Sequence, residues 1–242
     1  MFRTALTMDR KPKERHLPYY HLLDALREEG CPACASAERQ TARYIDGLLY
    51  ERVTDVPTRL ELRRSLGFCG PHAQLLLRSI DDLGPAIIYQ DLLEHLDWEE
   101  VTSRGFRNEE ETCPACRYAL RVAENHLLTL MEYADDSELL SCLERSQGLC
   151  LHHLLRLIVL AGDRPEVAQV LEIHRKKLAA LIHDLSELTR KHDYRFVHEP
   201  RTEGERTCLR RAVQFFTGGR PGLPYVSANG VRTLWGRIFN GR

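Results

Sequence analysis

The chain has 242 residues, of which 43% are hydrophobic and 29% charged, a composition typical of a soluble globular protein with an ample core. No apolar run approaches the roughly 20 residues that a membrane-spanning helix needs, and the polar, basic residues 1–15 do not resemble a secretory signal. We therefore expect a cytoplasmic protein without membrane contact. In that compartment, paired cysteines act as metal ligands or redox thiols rather than as a disulfide framework.

The net charge of −1 conceals an uneven distribution along the chain. Residues 201–242 hold eight Arg and two Glu, a net charge of +6, which leaves about −7 for residues 1–200. A basic tail can contact nucleic acid or an acidic partner, although a solvated tail is the simpler interpretation. Because the body of the chain is not basic, the sequence does not indicate a dedicated nucleic-acid binder, and any such contact would be made by residues 201–242.

Helix signals follow one another from Leu17 onward. A first helix is predicted from Leu17, with Pro18 in its first turn, to the stop signal Gly30. The next predicted helices begin at Pro32, near Pro57, within residues 68–72 and after Gly84-Pro85. Each carries apolar residues at helical spacing, which is the pattern of helices that pack on a common core.

The same order of signals recurs about 81 residues later in the chain. The segment from Leu143 to Cys150 echoes the segment from Leu62 to Cys69 at an offset of 81, and Pro165 stands 80 residues after Pro85. A long amphipathic stripe then follows at Val167, Val170, Leu171, Leu178, Leu181, Ile182, Leu185 and Leu188. We therefore predict an internal duplication whose two copies form a pseudo-symmetric pair.

The predicted fold class is all-α: an internally duplicated helical bundle of two pseudo-symmetric repeats, with about four helices each, followed by a C-terminal helix and a loose tail. Tyr194–Val197 is the only strand candidate and could equally be a linker. A last helix is predicted around Glu205–Phe216, with a short one near Leu234–Phe239. The predicted regions are a flexible lead-in (1–16), a first metal-binding repeat (17–108), a second one (109–191), a linker and helix (192–217) and a loose basic tail (218–242).

Six of the eight cysteines fall into two matching sets, each with a C-P-A-C pair followed by a C-x-x-H pair. The interval from Cys34 to Cys69 is 35 positions, and that from Cys116 to Cys150 is 34. Each set therefore offers three thiols and one imidazole. The candidate metal ligands are Cys31, Cys34, Cys69 and His72 in the first set and Cys113, Cys116, Cys150 and His153 in the second.

These ligand types and spacings predict two metal sites. The two-residue spacers let both donors of a pair converge on one ion, and three cysteines with one histidine form a recognised structural zinc set. All four pairs are predicted at helix N-termini, where free amides and the helix dipole favour the thiolate that binds metal. Two zinc ions are the first expectation, and iron–sulfur clusters are the alternative. Proximity in the sequence favours sites built within one copy, with exchange of ligands across the pseudo-dyad left open.

Three functions are compatible with these sites. The first is a non-enzymatic adaptor or regulatory protein with two structural zinc sites and a protein partner. The second is an iron–sulfur protein of electron transfer or redox sensing, and the third a thiol–disulfide redox protein that uses its C-P-A-C pairs. The third lacks the βαβ context of thiol oxidoreductases. No nucleophile elbow, phosphate-binding glycine loop or H-E-x-x-H motif indicates an enzyme.

The remaining cysteines and histidines carry weaker signals. His152 precedes His153 where the first copy has Pro71 before His72, so His153 is the predicted ligand and His152 a neighbour. Cys142 and Cys208 have no counterpart in the other copy and are predicted to pack, although Cys208 lies in a basic segment that could expose a reactive thiol. His21, His95, His126, His174 and His183 are predicted to be ordinary helix residues.

The repeated pattern C-P-x-C followed by G-[FL]-C-x-x-H resembles that of an uncharacterised family of bacterial helical proteins, a domain of unknown function. The resemblance covers roughly residues 17–217 and rests on the eight candidate ligands, the glycines Gly67 and Gly148, and the segment after Tyr194. It implies a bacterial cytoplasmic protein. It implies no reaction and no substrate.

Overall fold

The computed structural model describes residues 13–78, 82–99, 102, 113–165 and 167–218, and within these ranges the regular elements are all helices. The predicted all-α class is therefore confirmed. The helices are α1 (Leu17–Leu26), α2 (Pro32–Glu51), α3 (Val56–Ser65), α4 (Gly70–Leu76), α5 (Leu83–Glu94), α6 (Pro114–Glu132), α7 (Ser137–Arg145), α8 (Leu151–Ala161), α9 (Val167–Arg190) and α10 (Glu203–Thr217). None of them is long and apolar enough to cross a membrane.

At two places the local structure differs from an element that the sequence suggests. The strand candidate Tyr194–Val197 lies in a series of turns after α9, so the linker interpretation is the correct one. Gly84-Pro85 does not separate two helices but lies in the first turn of α5, where a proline costs little because its missing amide hydrogen would have no partner in the helix. Most of the predicted lead-in and tail, including the helix near Leu234–Phe239, lies outside the described residues.

The helices α2 and α6 form the centre of the fold and run antiparallel. Ala33 near the start of α2 shares a core cluster with Leu127 of the second half of α6. Leu48 near the end of α2 shares the other cluster with Ala115 at the start of α6. Between the two helices the Tyr44 and Tyr118 rings stack with their centroids 4.6 Å apart. The pair therefore has a core cluster at each end.

The remaining helices divide between these clusters. Residues of α1, α7, α8 and the start of α9 join the cluster at the start of α2. Residues of α3, α4 and α5 join the cluster at the start of α6. Because α2 and α6 run antiparallel, their starts lie at opposite ends of the pair. The short helix α8 joins the cluster at the start of α2, and α4 joins the cluster at the start of α6, so α4 and α8 lie at opposite ends of the bundle.

The last two helices form an arm, which we define as residues 175–217. The buried residues of α9 are confined to its first third, between Val167 and His174, and beyond them α9 packs along α10. The Arg211 guanidinium lies 2.6 Å from an Asp184 carboxylate oxygen. The Lys191 ammonium donates to both carboxylate oxygens of Glu205 at 2.8 Å, and this ion pair is buried. The arm is thus held mainly by contacts between its own two helices.

Candidate metal centres

The eight candidate ligands lie in two groups of four. In each group one ligand atom from every residue lies within 4.8 Å of the other three. Centre 1 is formed by Cys31, Cys34, Cys150 and His153, and centre 2 by Cys69, His72, Cys113 and Cys116. Both groups contain three cysteines and one histidine, and most of these side chains are buried. They are the two metal-binding candidates in the part of the chain that the structure describes.

Each centre combines a C-P-A-C pair from one predicted copy with a C-x-x-H pair from the other. The expectation that proximity favoured, a site within each copy, is therefore wrong. The reason is the antiparallel packing of α2 and α6, which places the start of α2 beside the start of α8 and the start of α6 beside the start of α4. The ligands exchange across the α2–α6 pair.

Centre 1 gathers its three sulfurs around one nitrogen of His153. The Nδ1 atom lies 3.4 Å from the sulfur of Cys31, 3.3 Å from that of Cys34 and 3.2 Å from that of Cys150. The sulfurs of Cys34 and Cys150 are 3.8 Å apart. All four donor atoms therefore face a common point.

Centre 2 has nearly the same dimensions around His72. Its Nδ1 atom lies 3.1 Å from the sulfur of Cys69, 3.6 Å from that of Cys113 and 3.3 Å from that of Cys116. The sulfurs of Cys69 and Cys116 are 3.6 Å apart. The same donor geometry is thus built twice.

These distances can be compared with those around one tetrahedral ion. Bonds of about 2.3 Å to sulfur and about 2.0 Å to nitrogen place two sulfurs about 3.8 Å apart and a sulfur and nitrogen about 3.5 Å apart. The Cys34–Cys150 and Cys69–Cys116 sulfur pairs measure 3.8 and 3.6 Å, and the six sulfur–nitrogen contacts range from 3.1 to 3.6 Å. The donors present therefore fit a single tetrahedral ion.

Four helix starts supply the donors. Cys31, Cys69, Cys113 and Cys150 are the N-cap residues of α2, α4, α6 and α8, and none of the four uses its side chain to cap the helix. Their sulfurs are thus left available as ligands. The second donor of each pair lies three residues further on, in the first turn. Each centre consequently receives the positive ends of two helix dipoles, which stabilise negative charge there.

The protonation of these side chains reflects how closely they are packed. Burial lowers the pKa of both imidazoles, but the neighbouring cysteine sulfurs raise it more, to about 9 for His72 and about 10 for His153. Contacts with the other two sulfurs raise the pKa of Cys34 and Cys116 far above the usual thiol range. Three thiolates so close together repel one another, and a divalent cation between them relieves that repulsion.

The segment that precedes Cys150 is held by His174, which the sequence predicts to be an ordinary helix residue. His174 of α9 is buried, and its Nε2 atom accepts a hydrogen bond of 2.8 Å from the backbone N–H of Leu149. The signal that could have indicated it is a gap in the apolar stripe of α9, since His174 lies four residues after Val170 and four before Leu178. A polar residue at an apolar position of that spacing is buried and must find a partner.

The other singled-out residues lie outside the two groups. His152 is only partly buried, and the burial lowers its pKa. Cys142 packs in the core cluster at the start of α2. Cys208 is fully buried in α10, where its thiol contacts the carbonyl oxygen of Glu205 at 3.1 Å. His126 is buried beside α2, which lowers its pKa to about 4.

Comparisons with known proteins place the chain among proteins of unknown function. A family model described as a family of unknown function (DUF6062) matches residues 99–222, a region that contains the second set of candidate ligands. A protein of Caldicellulosiruptor sp. (strain Rt8B.4), named "Uncharacterized 23.9 kDa protein in xynA 3'region", is 25% identical over 202 residues, which cover 81% of this chain and 99% of that protein. No solved structure matches.

Proposed function

The chain belongs to DUF6062, a family of unknown function, and we propose that it is a non-enzymatic adaptor or regulatory protein that binds two structural zinc ions. The observation that carries the proposal is the pair of four-donor groups with the dimensions of a tetrahedral Cys3His site. The four residues that include Cys31 would complete the coordination of one ion, and the four that include Cys113 would complete that of a second. No position then remains open for a substrate, which favours a structural over a catalytic metal.

Zinc is favoured over an iron–sulfur cluster by the size of the groups. A cluster has several irons and its protein ligands are divided among them, so these ligands are spread around a larger object than one ion. The donor atoms of each centre lie within 4.8 Å of one another. Three thiolates with one imidazole are also the soft donor set that zinc prefers over magnesium or calcium. We therefore assign one zinc ion to each centre.

A thiol–disulfide function is the remaining alternative, and the histidines argue against it. A redox pair needs two cysteines, whereas each centre brings a third cysteine from another helix and an imidazole within 3.6 Å of the sulfurs. All cysteines are free thiols in the structure. A bound cation requires four converging donors, whereas dithiol exchange requires only two sulfurs.

The structural role that we propose is to join the two halves of an internally duplicated chain. Each zinc ion would link the start of one long helix, α2 or α6, to a short helix of the other half, α8 or α4. Metal binding would then stabilise the folded chain directly, because the donors come together only in the folded state. A protein partner and a location in the bacterial cytoplasm, where thiols stay reduced, complete the proposal.

The test is elemental analysis with an absorption spectrum on protein purified without oxygen. We expect about two zinc ions per chain, one for each centre, and a colourless solution. A brown protein with visible absorption and bound iron would instead support the cluster alternative. Metal-free protein whose C-P-A-C pairs oxidise and reduce reversibly would support the thiol–disulfide alternative and contradict the proposal.

A further inference from the structure

We propose that His174 is a positioning residue for centre 1 and ties the helical arm to that centre alone. Its imidazole, on α9, holds the loop that presents Cys150. The inference rests on the proposed function, because it requires that centre 1 binds a metal ion. It goes beyond that function by giving the two centres different dependences on the rest of the chain.

The first step is the hydrogen bonding of His174. Its Nε2 atom accepts from the N–H of Leu149 at 2.8 Å, and its Nδ1 atom lies 2.7 Å from the carbonyl oxygen of Val170. Only the neutral imidazole with its hydrogen on Nδ1 satisfies both contacts, since Nε2 must then be an acceptor. The side chain is 3% exposed, so water does not replace these bonds. Because Leu149 precedes Cys150, the imidazole fixes the backbone from which that ligand projects.

The second step is the close fit of the whole loop against α9. Gly148 has a φ of +81°, and a Cβ atom added to it would stand 3.0 Å from Nε2 of His174. Only glycine allows both that backbone conformation and that approach. One turn further along α9, the Lys177 ammonium donates to the carbonyl oxygen of Glu144 at 2.7 Å and to that of Ser146. The loop is thus held by side chains of α9 at both of its ends.

The third step is the contrast with the loop that presents Cys69 in centre 2. That loop closes on its own helix, since the N–H of Gly67 donates to the carbonyl oxygen of Leu62 at 2.8 Å. The loop before Cys150 has local bonds too, since the N–H of Gly148 donates to the Ser146 hydroxyl at 3.0 Å, but the bond to His174 is added to them. The hydroxyl of Ser65 lies 2.8 Å from the carbonyl oxygen of Gly67. Where His174 approaches Gly148, an apolar carbon of Leu92 approaches Gly67. Loss of the imidazole should therefore affect centre 1 and spare centre 2.

The fourth step connects the arm to the same centre. The arm leaves the bundle just beyond His174 and returns to it through Phe215 near the end of α10, which is followed by Gly218. A Cβ atom on Gly218 would lie 3.4 Å from the sulfurs of both Cys34 and Cys150. One end of the arm thus follows the residue that holds the loop before Cys150, and the other end lies against two sulfurs of centre 1. By thermodynamic reciprocity, displacement of the arm lowers the affinity of centre 1 for metal, and metal bound at centre 1 stabilises the docked position of the arm.

The experiment follows each centre separately in the full chain loaded with cadmium. Cadmium-113 NMR spectra give one resonance for each centre. Couplings to the cysteine β-protons assign each resonance to its centre, and a chelator titration then measures the cadmium affinity of both centres. His174→Leu should lower the affinity of centre 1 by about 10- to 100-fold, the effect of removing a group that orients ligands. His174→Gln should recover most of the loss because its side-chain oxygen can accept the bond from Leu149. The matched control is His183→Leu, an exposed histidine of the same helix.

The proposal is overturned if His174→Leu weakens both centres equally or neither, or if His183→Leu has the same effect. Wild-type protein that binds no metal would overturn the proposed function as well, so the two failures are distinguishable. Should His174→Leu not fold, the metal-loaded wild type gives the answer. Nitrogen-15 shifts of a neutral His174 with its hydrogen on Nδ1, together with slow exchange of the Leu149 amide, support the proposal, and the opposite tautomer or fast exchange contradicts it.

Discussion

Centres 1 and 2 have the same ligand set, and they differ in what holds those ligands in place. In centre 2 the loop before Cys69 is closed by the C-terminal turn of α3, a short-range contact. In centre 1 the loop before Cys150 has local bonds through the Ser146 hydroxyl and, in addition, a bond from Leu149 to His174, 25 residues further along the chain. Centre 1 is also covered by Gly218 at the end of α10. Ligand identity is therefore a local property of the motifs, and support of the ligands is a tertiary one.

The surroundings of α2 and α6 differ between the centres in a related way. Near centre 2 the aromatic rings of Tyr44 and Tyr118 stack on each other. The same antiparallel register places Ser36 of α2 opposite His126 of α6 near centre 1. The Ser36 Oγ and the His126 Nδ1 are buried and have no hydrogen-bond partner among the described residues. A stacked aromatic pair is a stable filling of a helix interface, whereas orphaned polar atoms cost free energy. We expect centre 1 to be the more easily opened of the two.

The largest effect is expected from removal of one ligand in each centre. Cys34→Ser and Cys116→Ser should each remove about one metal ion and lower the free energy of unfolding by more than about 4 kcal/mol, since the bound metal stabilises the fold directly. Cys34→Ser should also free the arm, while Cys116→Ser should leave it in place. Metal analysis, thermal unfolding and limited proteolysis of the arm measure these effects.

The control for both variants is Cys142→Ser, the same chemical change at a buried cysteine outside the two groups. It should retain both metal ions. If Cys34→Ser and Cys116→Ser also retained them, or lost them without any change in melting temperature, the structural role of the metals would be contradicted.

A smaller effect is expected at Asp91, which joins α3 to α5 beside centre 2. Its buried carboxylate accepts from Nε of Arg63 at 2.8 Å and from Nη2 at 2.6 Å, with Arg59 at 3.3 Å. Asp91→Asn should lower the free energy of unfolding by about 1.5–3 kcal/mol, the contribution of a hydrogen-bonded charged group. Denaturant unfolding at neutral pH measures it, with both metals expected to remain.

The same residue gives a pH dependence with a defined sign. The hydrogen bonds from Arg63 lower the pKa of Asp91 below the ordinary value of 3.8. Its contribution is therefore fully present above that ordinary value and is lost as the pH falls through the lower folded value. The difference in stability between wild type and Asp91→Asn should shrink as the pH is lowered from about 6 to about 3. The control is Glu94→Gln, which changes an exposed carboxylate of the same helix. If the stability difference between wild type and Asp91→Asn did not change with pH and equalled that for Glu94→Gln, the stabilising role of the Asp91 carboxylate would be contradicted.

The helices that lead into the two loops offer a matched comparison. Asp55 caps α3 by accepting from the N–H of Thr58 at 3.0 Å, and Asp136 caps α7 by accepting from that of Leu139 at 2.9 Å. Asp136 also accepts from the Tyr19 hydroxyl at 2.9 Å and from Arg15 at 2.8 Å, whereas the further partner of Asp55 is the hydroxyl of Thr58 in its own helix at 2.7 Å. Asp136→Ala should therefore cost about 1–2 kcal/mol in unfolding free energy, the upper range for a lost cap, and Asp55→Ala less. Equal losses by thermal unfolding would show that the contacts of Asp136 with Arg15 and Tyr19 add nothing to the cap.

The helix starts and the candidate ligands followed from the sequence, because the determinants of both are local. A cysteine followed by proline, as at Cys31 and Cys113, both begins a helix and offers a donor, so one motif fixes the helix start and the candidate ligand. The stop at Gly67 was equally readable, since its positive φ ends the turn after α3. Boundaries and donors of this kind need no knowledge of the rest of the chain.

The pairing of the donors did not follow from the sequence, and the magnitudes explain why. Cys34 and Cys150, now in contact, are separated by 116 positions, against 35 between Cys34 and Cys69. The longer loop costs only about 1 kcal/mol more in closure entropy, because that cost grows with the logarithm of loop length. The packing of α2 on α6 easily exceeds so small a difference. The role of His174 was hidden for the same reason, since its partner Leu149 lies on another element.

The smallest effect is expected from Gly218→Ala, which tests the cover of centre 1. Gly218 has a φ of +67° and a ψ of 175°, a region that is essentially restricted to glycine, so an alanine there costs about 1–3 kcal/mol unless the chain moves. Because Gly218 follows α10 rather than lying within it, it can relieve that strain by lifting away from the sulfurs of Cys34 and Cys150. We therefore expect almost unchanged melting but a several-fold faster release of one metal ion to a chelator. The control is Gly162→Ala, at a φ of +54° with nothing within 4 Å of the added carbon; because no sulfur lies nearby, it should leave metal release unchanged, and equal rates for the two variants would show that the end of α10 does not protect centre 1.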